Sequence, residues 1–178
     1  MNSTYTFFRN GTFSRGAIVY SGDIESKDWA EQNGLEPEFE IKLHMRSLSL
    51  ERNPIAIEKA TTLLSGKYEG FCRRSARIEG FHSLTTAKRA GIFSCGWSFV
   101  DFMSNEFKWN VSMWGTSWTL RDINGNDVAQ FKRTSFSIKR IGTLTILEEK
   151  IPESLLMLIL LTCKMVHESI KESERSHS

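Results

Sequence analysis

The stretch PESLLMLILLTCKMV, residues 152–166, decides the fold of this chain. Proline is well tolerated at the first helical position and a carboxylate in the first turn complements the helix dipole, so Pro152 and Glu153 predict a helix start. The leucine and methionine residues that follow are strong helix formers. Because residues 155–161 leave no polar stripe around that helix, lipid or protein must surround it on every side.

The length of this apolar run separates the two environments. A membrane-spanning helix needs about 20 predominantly apolar residues. The run meets Lys164, and then His167 and Glu168, well short of that length. The sequence therefore favours a core helix enclosed by protein, predicted over about residues 152–172, and a bilayer anchor is the alternative.

The chain before this helix has the pattern of short β-strands. In residues 106–113, Phe107, Trp109, Val111 and Met113 share one face and polar residues the other, which is typical of a strand with one wet side. Strands are also predicted at residues 5–8, 16–20, 39–45, 55–58, 68–71, 76–79, 97–100, 118–120, 128–132, 135–139 and 142–147.

Three connecting segments have less regular patterns. Asn124 and Gly125 predict a hairpin turn at residues 122–127, because Asn-Gly readily supplies two positive-φ residues. This segment has the Asp and Asn content of a calcium loop, but no bidentate glutamate follows at the twelfth position. Residues 27–38 are predicted to be a loop, and residues 83–89 a loop or a helical turn.

The strands and the helix have complementary needs. A strand with one apolar face requires a cover, and an apolar helix requires an enclosure. A closed or nearly closed antiparallel barrel around the helix satisfies both and removes most sheet edges. We therefore predict a mainly β fold, a barrel with a central hydrophobic C-terminal α-helix. The side chains predicted to fill the barrel are Leu155, Leu158, Ile159, Thr162 and Val166.

Five segments in the second half of the chain follow one another in a recognisable order. They are Phe107-Lys108-Trp109, Trp118-Thr119-Leu120, residues 127–133, residues 142–146 and the Leu- and Ile-rich terminal helix. In this order the chain resembles the tubby C-terminal-like superfamily, which includes tubby proteins, phospholipid scramblases and the LURP-one-related proteins of plants. The chain is most similar to small uncharacterised fungal members. The resemblance covers roughly residues 5–172 and implies a closed antiparallel barrel of about twelve strands around a central helix.

Composition predicts one soluble domain. The hydrophobic and charged fractions of 40% and 25% are those of an ordinary globular protein, and a net charge of +2 is too small to indicate a nucleic-acid partner. The first residues lack the charged and apolar regions of a secretory signal, which predicts an intracellular location, either cytoplasmic or peripheral to a membrane. We expect a single domain over residues 1–172 and a flexible tail over residues 173–178.

The sequence offers no catalytic or metal-binding pattern. The four histidines are scattered, and no two stand at a metal-ligand spacing with a cysteine or carboxylate partner. Cys72, Cys95 and Cys163 are an odd number at wide spacing, which predicts reduced thiols rather than disulfides or a zinc site. The chain also lacks a Gly-x-Ser-x-Gly elbow and a glycine-rich phosphate loop. We therefore expect no enzyme activity, no metal and no cofactor.

Basic pairs recur along the chain and are the candidate binding residues. If the fold gathers them on one surface, they can bind anionic headgroups, each Lys or Arg near a charged membrane contributing about 1 kcal/mol. Neighbouring carboxylates can equally neutralise them. The candidates are Arg73, Arg74, Arg77, Lys88, Arg89, Lys132, Arg133, Lys139 and Arg140.

Two functional hypotheses follow from the residues and the resemblance. The first is a non-enzymatic intracellular binding domain of tubby or LURP-one type, which recognises an anionic membrane surface such as one containing phosphoinositides, or protein partners. The alternative is a membrane-associated, scramblase-like protein that uses the C-terminal helix as an anchor. The calcium and cysteine-rich palmitoylation patterns that the resemblance associates with scramblases are missing from the sequence, which favours the first.

Overall fold

Twelve antiparallel strands close into a barrel around a long C-terminal helix. The computed structural model describes residues 2–11, 14–53, 60–70, 73–91, 94–135 and 137–176. Its strands are β1 (Thr4–Arg9), β2 (Ala17–Ser21), β3 (Phe39–Leu43), β4 (Ser47–Arg52), β5 (Thr61–Glu69), β6 (Ser75–Gly80), β7 (Ser83–Arg89), β8 (Trp97–Val100), β9 (Glu106–Val111), β10 (Ser117–Asp122), β11 (Asp127–Arg133) and β12 (Arg140–Ile146). Its helices are α1 (Lys27–Gln32) and α2 (Glu153–Ser176). Each strand pairs with its neighbours in sequence and β1 pairs with β12, which confirms the predicted fold class.

The helix α2 lies inside the barrel. Every side chain from Met157 to Ile170 is buried, and Leu158 and Val166 have no exposed surface. Protein therefore provides the environment that the apolar run requires. In the part of the chain that the structure describes, no helix has both the length and the apolarity of a membrane span.

The barrel has room for a helix because of its strand number. Twelve strands about 4.8 Å apart and tilted by about 40° form a cylinder with a radius of about 12 Å. A helix with its side chains is about 10–12 Å across, so one layer of strand side chains fits between helix and wall. In β9, Phe107 and Trp109 supply that layer while Lys108 and Asn110 are exposed.

Three tryptophans of the wall donate their indole N–H groups to polar side chains of α2. The bonds are Trp97 Nε1 to Ser169 Oγ (2.9 Å), Trp109 Nε1 to Thr162 Oγ1 (2.9 Å) and Trp118 Nε1 to Cys163 Sγ (3.3 Å). A buried N–H without a partner costs about 1–3 kcal/mol. All three find partners only when the helix has this depth and rotation in the barrel, so the bonds fix its register.

The first loop prediction is partly wrong, because residues 27–32 form the helix α1. The Ser26 hydroxyl accepts a hydrogen bond from the Trp29 N–H and caps the helix. Ala30 is buried in a small apolar cluster on the outside of the barrel, together with residues of β1 and β2. That cluster forms because Phe8 and Tyr20 point outward and need a cover.

Two further segments differ from the sequence-based prediction. Residues 83–89 form the strand β7, in which only Thr85 and Ala87 are buried, so the inward face lacks the large apolar residues that signal a strand. Residues 135 and 137–139, predicted as part of a strand, form a turn between β11 and β12. The strand predicted at residues 55–58 lies outside the described residues.

The hairpin turn lies where it was predicted, whereas the core helix is longer than predicted. The turn predicted at residues 122–127 connects β10 to β11, which confirms it. Gly125 has a φ of +85°, but Asn124 does not have the positive φ that was expected of it. The helix ends at Ser176, beyond the predicted end at residue 172, because glutamates in its last turns pair with arginines of the barrel.

Leu158 provides a test of the enclosed helix. An aspartate at this buried position is an unpaired charge, which costs several kcal/mol against a typical stability of about 5–15 kcal/mol. We expect Leu158→Asp to abolish the cooperative thermal transition measured by circular dichroism. Ser154→Asp, in the first turn of the same helix, should keep it, since a carboxylate there complements the helix dipole. A soluble Leu158→Asp protein with an unchanged melt would contradict the enclosure.

Candidate anion-binding site

The two ends of the barrel differ sharply in charge. Since each strand runs antiparallel to the next, alternate connections lie at the same end. The six connections at the end where α2 finishes contain no carboxylate and five basic residues, namely Arg15, Arg46, Arg73, Arg74 and Lys139. The connections that start at the opposite end contain, among the described residues, nine carboxylates and two basic residues. Two of the nine, Asp23 and Asp28, reach back along the wall to Arg140 and Lys139, at 2.6 and 3.5 Å. We call the two ends the basic end and the acidic end.

A cavity of about 230 Å³ opens at the basic end, and we call it the arginine pocket. Guanidinium and hydroxyl groups dominate its lining, and no carboxylate belongs to it. The lining residues are Arg9, Thr116, Arg133, Thr134, Ser135, Ser137, Arg140, Ile141 and His167. Planar guanidinium forks and hydroxyl donors match an anion with several oxygens, such as phosphate.

The three arginines of the pocket differ in their partners. Arg133 Nη1 and Nη2 donate to the two carboxylate oxygens of Glu174, at 2.6 and 3.3 Å. Arg140 Nη2 donates to Asp23 Oδ1 at 2.6 Å, while its Nε is buried without a hydrogen-bond partner among the described residues. Arg9 forms no ion pair with any described residue. Among the pocket's arginines, Arg9 is therefore the one whose charge no described carboxylate pairs.

Ion pairs at the basic end also hold the end of α2 in place. Arg73 Nη2 donates to Glu172 Oε1 at 2.6 Å, and Arg15 Nη1 lies 3.7 Å from the same oxygen. The Arg73 guanidinium also lies over the ring of Tyr68, 5.8 Å from its centroid. Burial raises the pKa of this tyrosine, so it stays a neutral phenol. Arg73, like Arg133, is thus part of the fold as well as of the basic end.

A buried charged cluster on α2 adjoins the pocket. Lys164 Nζ donates to Glu168 Oε1 at 2.5 Å, and Lys171 Nζ lies 3.6 Å from that oxygen. Burial lowers the pKa of Lys164 to about 8, against the opposing effect of Glu168. Burial alone would raise the pKa of Glu168, but the His167 ring and the Lys164 ammonium hold it below its usual value. The pair is consequently ionised at neutral pH.

His167 links this cluster to the pocket. Its ring is stacked with Trp118, 6.3 Å between centroids, and its Nδ1 lies 3.5 Å from Glu168 Oε1 without a closer partner among the described residues. Burial lowers the pKa of the imidazole to about 4. His167 is therefore neutral at pH 7, and the positive charge of the pocket comes from its arginines.

A second cavity, a groove of about 460 Å³, crosses the outer surface of β7 to β10. Lys88, Lys108 and Arg121 lie in one cross-strand row within it. Glu106 and Asp122 also line the groove, so its charge is mixed. The arginine pocket, which has no carboxylate in its lining, is the better candidate for an anion.

The nine basic residues predicted from the sequence do not share one surface. Six of them are at the basic end, namely Arg73, Arg74, Arg89, Arg133, Lys139 and Arg140. The other three lie further along strands of the wall, namely Arg77, Lys88 and Lys132. Successive strand residues point to opposite faces, so a basic pair within a strand is divided. Lys132, for example, is exposed outside the barrel while Arg133 reaches the end of α2.

Several pocket residues were missed by the sequence-based prediction. Arg9, Thr116, Ser137 and His167 come from four separate elements, and none belongs to a basic pair. The sequence does contain one signal for this end, namely the summed charge of every second connection. That sum has a structural meaning only for an up-and-down barrel, in which every second connection lies at the same end.

Comparison with known proteins places the fold. No family model matches the sequence, and no curated protein matches it. Among solved structures, the X-ray structure of a protein from Arabidopsis thaliana is similar, with a TM-score of 0.60 over 94% of this chain and 90% of that chain. The two sequences are 14% identical, so the similarity concerns the fold alone.

The neutral state of His167 predicts how stability depends on pH. Between its ordinary value of 6.5 and the pKa of about 4 in the folded chain, the unfolded state binds a proton that the folded state does not. Stability from this group is therefore present above pH 6.5 and is lost as the pH falls towards 4. From pH 6.5 to pH 5 the loss is about 1.5 kcal/mol. Urea unfolding should show a shallower dependence for His167→Gln than for the wild type, and identical slopes would refute the assignment.

Proposed function

We propose that this chain is a non-enzymatic binding domain of the tubby-like kind, which recognises the phosphate groups of anionic phospholipid headgroups with the basic end of its barrel. The carrying observation is the charge of that end, with five cations and no carboxylate in its six connections. A net charge of only +2 conceals this asymmetry of the connections. The carboxylates that reach the basic end come from α2, as Glu172 and Glu174, and from the β2–β3 connection, as Asp23 and Asp28.

The arginine pocket supplies the specific part of the proposed recognition. A phosphate group in it can accept hydrogen bonds from Arg9, which has no carboxylate partner among the described residues, and from the surrounding hydroxyl groups. Hydrogen bonds between ionised partners are about twice as strong as neutral ones. Glu174, which holds Arg133 at 2.6 Å, can also be displaced by a phosphate that competes for the same guanidinium.

The cations around the pocket supply the less specific part. Each Lys or Arg near an anionic leaflet contributes about 1 kcal/mol, and the cytoplasmic leaflet carries most of the anionic lipid. The proposed ligand is thus consistent with the expected intracellular, peripheral location. Arg46 and Arg74 are exposed and form no ion pair with a described residue, so their charges are available.

The tubby-like assignment is supported by the order of segments in the second half of the chain and by the fold shared with the Arabidopsis structure. The scramblase-like alternative needs α2 as an anchor, whereas this helix is buried in the barrel from Met157 to Ile170. A nucleophilic cysteine is likewise unsupported at Cys163, because complete burial raises the pKa of its thiol.

Vesicle co-sedimentation tests the proposed function. We expect the wild type to bind vesicles of phosphatidylcholine containing phosphatidylserine or phosphoinositide, and to bind pure phosphatidylcholine much more weakly. Arg46→Gln/Arg74→Gln should weaken binding to anionic vesicles by roughly 30-fold, the equivalent of about 2 kcal/mol.

The matched control removes two charges outside the basic-end connections. Lys27→Gln/Lys150→Gln lowers the net charge equally but leaves every basic-end connection unchanged, and it should bind as the wild type does. Equal, negligible binding of the wild type to both kinds of vesicle would refute the proposed function.

A further inference from the structure

The most exposed large apolar side chains in the described parts of the chain lie at the basic end. They are Met113 (88% exposed), Trp114 (81%), Ile138 (80%) and Met45 (77%). Each is in a short connection between strands, with Met45 between β3 and β4, Met113 and Trp114 between β9 and β10, and Ile138 between β11 and β12. Large side chains this exposed at several loop tips of one end are typical of an interaction surface.

The tips stand on opposite sides of the barrel mouth. The β3–β4 and β9–β10 connections are separated by four strands in either direction around the barrel. Ile138 belongs to the connection next to the β9–β10 pair on that ring. Apolar groups on opposite sides of the mouth define a surface roughly perpendicular to the barrel axis. A flat partner that approaches along the axis can contact all of them at once.

The arginine pocket opens between two of these tips. Thr116 and Ser137 line it from the same connections that carry Trp114 and Ile138. Apolar tips and phosphate-binding groups therefore face the same way. A bilayer surface presents both matching parts, anionic phosphates and the apolar region just beneath them.

We propose that the barrel docks end-on on an anionic membrane, with Met45, Met113, Trp114 and Ile138 inserted among the headgroups and the arginine pocket facing the lipid phosphates. This docking mode rests on the proposed function. It adds the orientation of the barrel on the membrane and the contribution of the apolar side chains to binding. Tryptophan suits such a position because its ring is amphipathic and prefers the membrane interface. Binding then combines burial of apolar surface with attraction to anionic lipid.

The tip that carries Trp114 is built as a fixed turn. Gly115 has a φ of +62°, and a Cβ added there would lie 3.0 Å from Ile170 Cγ2 of α2. The Ser112 hydroxyl accepts hydrogen bonds from the N–H groups of Thr116 and Ser117, at 3.2 and 3.1 Å. Because the turn is held by its own bonds and by the helix, little entropy is lost when its tip enters a membrane.

Exposed apolar side chains at the acidic end provide a control for membrane insertion. Ile123 and Met103 are 74% and 71% exposed in connections at that end. Asp101, Glu148 and Glu149 lie in connections at the same end, and an anionic leaflet repels them. Apolar side chains of similar exposure are thus available in the same protein at a place where insertion is not expected.

The experiment compares two double variants by co-sedimentation with phosphatidylcholine vesicles containing phosphatidylserine. We expect Trp114→Ala/Ile138→Ala to bind about tenfold more weakly or worse, and Ile123→Ala/Met103→Ala to bind as the wild type does. In addition, phosphatidylcholine with brominated acyl chains should quench part of the tryptophan emission of the wild type. Trp114→Phe should lose most of that quenching, since Trp97, Trp109 and Trp118 are buried and Trp29, in the helix α1 on the outside of the wall, is only 40% exposed.

The outcomes separate this inference from the proposed function. If both double variants bind like the wild type and bromine quenches nothing, insertion is refuted while charge-driven binding stands. If the wild type binds no anionic vesicle, both proposals fail. A concentration-dependent dimer in analytical ultracentrifugation that Trp114→Ala/Ile138→Ala abolishes, with vesicle binding unchanged, would assign the tips to a second copy of the chain and refute membrane insertion.

Discussion

An apolar helix enclosed by its own sheet is the constraint on which the rest of this structure depends. The side chains of α2 face a wall in every direction, and a twelve-strand wall is wide enough to collapse unless a helix fills it. Apolar burial supplies most of the free energy, at about 1.5–3 kcal/mol for each large side chain, but it is not directional. The indole bonds of Trp97, Trp109 and Trp118 add the direction, because each is satisfied at only one depth and rotation of the helix.

The same enclosure creates the two ends of the molecule. A meander that closes on itself sends alternate connections to opposite ends, so residues far apart in sequence meet at one mouth. At the basic end the helix has to change from apolar to polar, and it does so through the buried pair of Lys164 and Glu168 and through the pairing of Glu172 and Glu174 with arginines of the wall. The arginine pocket is a by-product of that transition, since Arg133 serves both the helix and the pocket.

The elements that were predictable from the sequence are those whose hydrophobic pattern is uninterrupted. The core helix was predictable because residues 155–161 have no polar side, and β9 because aromatic residues alternate with polar ones. The strand β7 was not, since Thr85 and Ala87 fill its inward face and Leu84 is exposed. The helix α1 was not, because it depends on the Ser26 cap and on an apolar cluster outside the barrel that only the fold assembles.

The candidate site was predictable only in its chemistry. Basic residues were the right type to examine. Two basic residues next to each other in a strand, however, point to opposite faces of the sheet. The closed barrel instead brings together Arg9, Arg133, Arg140 and His167, which are far apart in sequence. The register of the closed sheet carries that information, and no local pattern reports it. Loop composition does survive in the sequence, and alternate loops summed by charge would have identified the basic end.

Hydrogen exchange of the five tryptophan indole N–H groups, followed by nitrogen-15 NMR, tests the enclosed helix most directly. If the helix is enclosed, the indoles of Trp97, Trp109 and Trp118 exchange only through global unfolding. Those of Trp29 and Trp114, which are 40% and 81% exposed, exchange at rates near those of a free indole. Fast exchange at all five positions would mean that the wall does not close on the helix, and would contradict the fold and the site built on it.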